Sequence, residues 1–416
     1  MKIAVLIHEL LIEGGGERQC LSLARALSRQ GHEVNVFTCA YEAERCFPEI
    51  CRDLNIQAVG RGWWPTLRSP RFIRGYLDMV KLTASVTHRH QIWNPHHWPA
   101  QWAAVWLKRR LGGTVLWMCN DVPTFPEKTR QRGSLKTRAS SLVHRAYYWY
   151  DRKQNRQVDL TLLLSRWAEK EFSAVYPGPT RVVRSGADPE RFALGGNRLR
   201  IRERFGYNGN DFVFLWLGIF MPHRRLQDAV EAVSLLASRG MTVKLLLAGA
   251  TNQFPEYYAF LEALVKQRGL ENQVTFAGKV ADDEICDFYC ACDAFLFPND
   301  QQTWGLAVLE AMACGKPVLV SMGSGVHEIM TDNENAFLFP PKDPQSLAEK
   351  IEIVISQSDL RKSVAENGMR LARETYTWSH FADQISAIAS EFAVREHPPE
   401  LATLRSEMMA PKANAN

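Results

Sequence analysis

PNDQQTWGLAVLEAMACG, residues 298–315, reads as the end of a strand, a polar loop, a glycine turn and then a helix. A loop of this kind aims backbone N–H groups and a helix dipole at one point, which suits a phosphate. Glu310 falls on the helix, eight positions after Gln302 in the loop. A carboxylate there would take the two hydroxyls of a ribose while the helix start holds a diphosphate. Read alone, the stretch is equally an ordinary buried strand–helix corner with a chance glutamate.

Outward from this stretch, apolar runs alternate with helical patterns. Lys2–His8 reads as a strand, Glu17–Gln30 as an amphipathic helix closed by Gly31, and Glu33–Thr38 as the next strand. That is the opening of a doubly wound sheet. Further strands are expected at Gln91–Trp93, Thr114–Met118 and Leu160–Leu164. The pattern resets at ALGGNRLR, residues 193–200, whose glycines and polar residues suit a linker. A second series then predicts strands at Phe212–Leu217, Thr242–Ala248, Gln273–Ala277, Ala294–Phe297 and Pro317–Ser321. Helices fit between them at Leu226–Arg239, Tyr257–Gly269, Asp282–Cys290 and Leu306–Ala313. The fold class is therefore α/β, with two Rossmann-like domains, 1–193 and 194–376, facing across a cleft. Residues 397–416 carry little periodic pattern and read as a loose tail.

The 416 residues are enough for two or three full cores. Net charge is +5, but it is unevenly spread: residues 1–193 hold 29 Lys+Arg against 17 Asp+Glu, and the remainder 21 against 28. The first half is thus expected to face something anionic. Nine cysteines without CxxC spacing read as reduced thiols in a cytoplasmic chain. His8 and Glu9 interrupt the apolar N-terminus, so a first strand is expected there rather than a signal peptide. No apolar run reaches the length of a membrane span.

Four other segments could carry chemistry. Gly14-Gly15-Gly16-Glu17 follows the first strand, where glycines let backbone approach a ligand. It is not GxGxxG, and no acidic residue ends the second strand, so a nicotinamide fingerprint is not met. His96 and His97 follow another strand, where an imidazole could bond a sugar hydroxyl or simply pack among Trp93, Trp98 and Trp102. Arg224 and Arg225 follow the first strand of the second half. Two guanidiniums can clamp a diphosphate, and cations at a helix start oppose its dipole unless an anion joins them. Finally, residues 61–90 hold six Lys/Arg and one acid beside Trp63-Trp64, and 128–156 hold nine and one beside Tyr147–Tyr150. Cations beside Trp and Tyr fit an anionic membrane, a nucleic acid or a plain solvated face.

Together these residues resemble the GT-B glycosyltransferases of the retaining family four, over residues 1 to about 395. The resemblance rests on Pro298, Gln302–Leu306, Glu310–Ala313, Gly315 and Pro317-Val318, and on collinear matches at Gly14–Glu17, Gly31–Val34, Asn94–Pro99, Ser185–Asp188 near Phe192, and Gly323–Glu328. It implies a nucleotide-sugar donor, with a UDP-, GDP- or ADP-sugar all open. Glu310 would bind the ribose, and Trp304, Gly305 and Leu306 with Arg224 the diphosphate. The backbone near Lys279 and Val280 would meet the base. Gly15 and Gly16 would close over the phosphates, and His96 and Gln302 would touch the donor sugar. His97, Asn120 and Asp121 are candidates on the acceptor side, and Thr377–Phe392 would be the helix that returns to the first domain.

Two positions depart from the family pattern. Gln302 stands where a glutamate is usual, which removes a negative charge but keeps a hydrogen-bonding side chain. Ile219 stands where an arginine is usual, with Arg225 a possible substitute. The function implied is transfer of a sugar to a hydroxyl of a glycan or lipid-linked acceptor, with retention, by a cytoplasmic protein peripheral on the inner face of a membrane. In the family the departing phosphate helps deprotonate the acceptor. Nothing in this sequence calls for a metal, as no Asp-x-Asp triplet occurs. The alternative is a catalytically impaired nucleotide-sugar or glycan binding protein. An epimerase of similar fold fits the Gln302–Glu310 stretch less well, and no nucleic-acid-binding module is recognisable.

Overall fold

A computed structural model describes residues 1–60, 71–122, 135–193 and 195–396. The expected tail, Trp63-Trp64 and the basic residues at 128–134 lie outside them. The chain forms two compact units. One comprises Met1–Leu163, Phe172–Val183 and the chain from Phe381; the other comprises Leu164–Glu171 and Arg184–His380.

The first unit is a seven-stranded parallel sheet of β1 (Lys2–Leu10), β2 (Glu33–Tyr41), β3 (Asn55–Ala58), β4 (Ile92–Pro95), β5 (Thr114–Met118), β6 (Leu160–Leu163) and β7 (Thr180–Val182), in the order β3-β2-β1-β4-β5-β6-β7. Val5 of β1 sits against Val36 on one side and Asn94 on the other. The strands β4, β5 and β6 are buried along their whole length, as expected where helices cover both faces of a parallel sheet. The helix Gly15–Arg29 buries Cys20, Leu23, Ala24 and Leu27, one side of a helical repeat. It ends where Gly31 takes φ +84°, a conformation that favours glycine, and His32 N–H bonds Leu27 C=O at 3.2 Å.

The second unit is a six-stranded parallel sheet of β8 (Val213–Leu217), β9 (Lys244–Ala248), β10 (Val274–Gly278), β11 (Ala294–Phe297), β12 (Val318–Ser321) and β13 (Phe337–Phe339), in the order β10-β9-β8-β11-β12-β13. Phe214, Trp216, Leu245, Leu247 and Leu296 from the strands pack with Ala229, Val233 and Leu236 from the helix Leu226–Ser238.

Both sheets reverse direction beside their first strand, at β1/β4 and at β8/β11. Open α/β sheets bind ligands outside the carboxyl ends of strands at such reversals. The glycine loop and the His96-His97 turn follow β1 and β4, and the arginine pair and the Gln302 loop follow β8 and β11. The helix Trp378–Glu396 joins the first unit from Phe381. Asp383 accepts from Gln30 at 2.7 Å, and Glu391 pairs both terminal nitrogens of Arg181 at 2.9 and 3.0 Å.

Candidate functional site

In the second unit, two loops at the β8/β11 reversal hold each other. The Asp300 N–H donates to the His223 carbonyl at 2.8 Å, and Arg224 Nη1 donates to Gln302 Oε1. Gln302 is itself fixed by its backbone, whose carbonyl accepts from Gly325 N–H at 2.7 Å. The two arginines have different partners: Arg225, in the left-handed region at φ +53°, forms a two-point pair with Asp228 at 2.9 and 2.7 Å. Arg224 thus has a neutral amide among its partners, and Arg225 a carboxylate.

The helix Leu306–Ala313 starts at Gly305 with no side-chain cap on its first turn. A side chain at Gly305 would put a Cβ 2.8 Å from Val326 Cγ1, so the turn needs glycine to lie this close to the next loop. Glu310 is buried on this helix, and its Oε2 accepts from Tyr289 O–H at 2.9 Å. Tyr289 comes from the helix Ile285–Ala291 and orients the carboxylate from beneath. A carboxylate has room for further donors after one such bond.

Trp304 is buried, with the Arg184 guanidinium 5.3 Å from its ring centre. Arg184 also pairs with Glu328 at 2.6 Å, and Glu328 accepts the N–H groups of Arg166 and Trp167 at 2.9 Å each. Burial would raise the Glu328 carboxyl; the two N–H groups and Arg184 outweigh it and hold the carboxyl below its ordinary range. Lys279 and Val280 directly follow β10, at a floor where three strand ends meet backbone to backbone. Gly218 N–H bonds Ala248 C=O at 3.0 Å, Gly249 N–H bonds Gly278 C=O at 2.7 Å, and a Cβ on Gly249 would fall 1.6 Å from the Gly218 oxygen.

In the first unit, Gly16 and His97 are in contact. A Cβ on Gly16 would lie 2.1 Å from His97 Nε2, so only a glycine leaves room for the imidazole. Gly15 beside it is exposed. His97 adopts φ +58°, and its Nε2 lies 3.5 Å from Asn120 Nδ2. Asn120 is buried, with Oδ1 unpartnered among the described residues, and Asp121 is exposed. His96 points inward and is fully buried, its Nε2 3.0 Å from Asn94 Oδ1 and its Nδ1 without a partner among the described residues. Burial, and secondarily His97, push its pKa down to about 3, so its imidazole is neutral at physiological pH.

Beneath this turn, the fully buried Asp151 accepts from Trp98 at 3.3 Å, Gln101 at 3.1 Å and Trp102 at 2.7 Å, and from Tyr176 O–H. Burial raises its pKa to about 6 against the pull of these donors. Elsewhere, His8, Glu9 and Asp78 bring three potential metal-ligand atoms within 4.8 Å of one another; the 3.0 Å contact between His8 and Asp78 is also a complete hydrogen bond without a metal.

Sequence reasoning passed over Tyr289, Asp228, Gly249 and Asp151. Gly249, directly after an apolar strand, carries a signal that was available, because a glycine there marks close backbone approach. Tyr289 and Asp151 act through partners on other segments, which spacing along the chain does not reveal, and Asp228 through a local pair with Arg225 three residues before it.

The family model described as "Glycosyl transferases group 1" matches residues 197–371, and that of "Glycosyltransferase Family 4" matches residues 13–191. An uncharacterized glycosyltransferase of Methanocaldococcus jannaschii is 25% identical over 397 residues, covering 92% of this chain and 96% of its own. The mannosylfructose-phosphate synthase of Agrobacterium fabrum is 26% identical over 399 residues, covering 90% and 86%. Anabaena HepE, solved in complex with UDP-glucose, superposes with a TM-score of 0.74 at 21% identity, covering 94% of this chain and all (100%) of its own.

Proposed function

The chain belongs to the family-four glycosyltransferases of the GT-B fold, and from that membership we propose that it moves a hexose from a nucleoside-diphosphate sugar to a hydroxyl of a glycan or lipid-linked acceptor, with retained anomeric configuration. The observation that carries the donor reading is the convergence of Arg224, Gln302 and the uncapped start of the helix Leu306–Ala313 at the β8/β11 reversal, with Glu310 one turn further along that helix. The UDP-glucose bound to Anabaena HepE supports a donor of this class.

In this reading, Glu310 takes the ribose hydroxyls, held by Tyr289. The N–H groups at Gly305 and Leu306 and the Arg224 guanidinium take the diphosphate. Val280 lies along the base and Gln302 meets the sugar. As the bond to the sugar breaks, the leaving diphosphate gathers negative charge. Arg224 and the helix dipole stand ready for that charge without having to reorganise, so they lower the barrier more than they tighten the ground state. Arg225, paired with Asp228, fixes the turn that carries Arg224 rather than binding the diphosphate. On the first unit, Gly15 and Gly16 form the glycine loop after β1, beside His97. His96 works from behind, holding the turn that presents His97 and Asn120 to sugar or acceptor hydroxyls. The excess of cations in residues 1–193 favours an acceptor carried at an anionic membrane surface.

The test is a thermal-shift screen of UDP-, GDP- and ADP-sugars, followed by turnover of the stabilising donor. Arg224→Ala and Glu310→Ala should each lower turnover about 10²–10³-fold, the usual effect of losing a group that stabilises transition-state charge or fixes the donor. Unchanged turnover in both variants would sink the site, and donor binding without transfer by the native chain would sink the activity. NMR of the first-formed product should show the donor's anomeric configuration, and inversion would refute retention.

A further inference from the structure

The helices Arg71–Ser85 and Leu135–Asn155 each contain a single acidic residue, Asp78 and Asp151. Both point inward: Asp78 is 4% exposed and bonded to His8, and Asp151 is fully buried in its hydrogen-bond network. The helix Ala100–Leu111 packs against both, and the two meet at the Tyr76 and Tyr150 rings, 6.0 Å apart. Their exposed described side chains thus include cations and apolar groups but no carboxylate.

The apolar groups form a stripe. Ile73, Tyr76 and Val80, at helical spacing on the first helix, are 39%, 37% and 43% exposed, and Trp149 on the second is 64% exposed. Lys153 lies over the Trp149 ring at 5.4 Å and Arg152 over the Tyr148 ring at 5.6 Å. No carboxylate among the described residues pairs with either cation. A large exposed indole beside unpaired cations costs solubility unless something covers it.

We propose that this two-helix face docks the protein onto the surface of an anionic lipid bilayer, with Ile73, Tyr76, Val80 and Trp149 entering the interface and Arg152 and Lys153 meeting lipid phosphates. The charge is complementary to an anionic leaflet, which attracts each nearby cation by a small and additive amount. The apolar stripe separates a bilayer from a nucleic acid: the aliphatic side chains of Ile73 and Val80 bury well among acyl chains but offer no flat face for a base to stack on. The inference gives the proposed lipid-borne acceptor a surface to be met on, and rests on that reading only for its purpose.

The experiment is co-sedimentation of the full chain, without donor, with vesicles of phosphatidylcholine alone or mixed with phosphatidylglycerol. Binding should require the anionic lipid and weaken with salt. Replacing both cations (Arg152→Gln with Lys153→Gln) should weaken it about thirtyfold, from roughly fivefold per cation near the surface. Ile73→Ser with Val80→Ser, both on an exposed face, should reduce the binding that survives high salt. Absence of vesicle binding, equal binding to neutral vesicles, or binding that both double variants leave unchanged would overturn the proposal. So would binding to single-stranded DNA in place of vesicles. Transfer to a soluble acceptor without vesicle binding would overturn this docking face and leave the transferase reading standing.

Discussion

Arg224 donates from Nη1 to the side-chain oxygen of Gln302, across the two loops that end β8 and β11. An amide can anchor a guanidinium without cancelling its charge, whereas a carboxylate at the same position would do both. Gln302→Leu removes the anchor and should lower kcat/KM for the donor about tenfold to a hundredfold, the worth of a hydrogen bond to a charged group. Gln302→Glu keeps the anchor but turns it into an ion pair. It should weaken binding of the free nucleoside diphosphate while changing which sugar is preferred. Isothermal titration with the diphosphate and steady-state kinetics with several donors separate the two effects; tighter diphosphate binding by Gln302→Glu would contradict this account.

Tyr289 gives Glu310 its hydroxyl partner inside the second unit. Tyr289→Phe leaves the ring packed against Phe192 and Phe295 but strips a donor from a buried carboxylate. A stability loss of about 1–3 kcal/mol is expected. Donor KM should rise as well, because an untethered Glu310 no longer presents its oxygens to the ribose. Urea unfolding and donor kinetics measure the two. Lost stability with an unchanged KM would reduce Tyr289 to a packing residue.

Much of this was legible in the sequence. Thr114–Met118, Ala294–Phe297 and Leu306–Ala313 match the expected bounds, since each is a compact apolar run flanked by glycine, proline or polar residues. The strands β3, β7 and β13, of three or four residues, were not expected. Asn-Ile-Gln-Ala at 55–58 and Thr-Arg-Val at 180–182 have too little apolar periodicity to stand out, and they form because a neighbouring strand offers a ladder. The loops at the sheet reversals were legible because close backbone approach demands glycine. The directions of their side chains were not: whether His96 or His97 turns inward depends on contacts between distant segments, and which arginine meets Asp228 on the backbone turn at Arg225.

Gly16 and His97 should behave as a coupled pair. Gly16→Ala adds a Cβ 2.1 Å from His97 Nε2 and must displace the imidazole. His97→Ala should cost activity by itself and also clear the space. The damage done by Gly16→Ala should therefore be much smaller in the His97→Ala background, with a coupling of about 1 kcal/mol or more in a double-mutant cycle. Additive losses in kcat/KM would mean that the glycine serves the backbone alone.

Two buried groups of the first unit titrate against each other. His96 is pushed down to about 3, so the unfolded chain binds its proton more tightly than the fold does. Its contribution to stability is fully present above about pH 6.5, the ordinary histidine value, and is lost as pH falls toward 3. Asp151 is raised to about 6, so the fold binds its proton more tightly; that contribution is present below about pH 4 and is lost as pH rises through 6. Between about pH 4 and 6 the two slopes oppose each other, each at most about 1.4 kcal/mol per pH unit. Asp151→Asn should remove one of them. The stability of this variant relative to the native protein should then climb with pH across that window, whereas that of His96→Asn should fall. Urea unfolding at several pH values checks both signs, and a pH-independent difference for Asp151→Asn would show that the carboxyl keeps its ordinary titration in the fold.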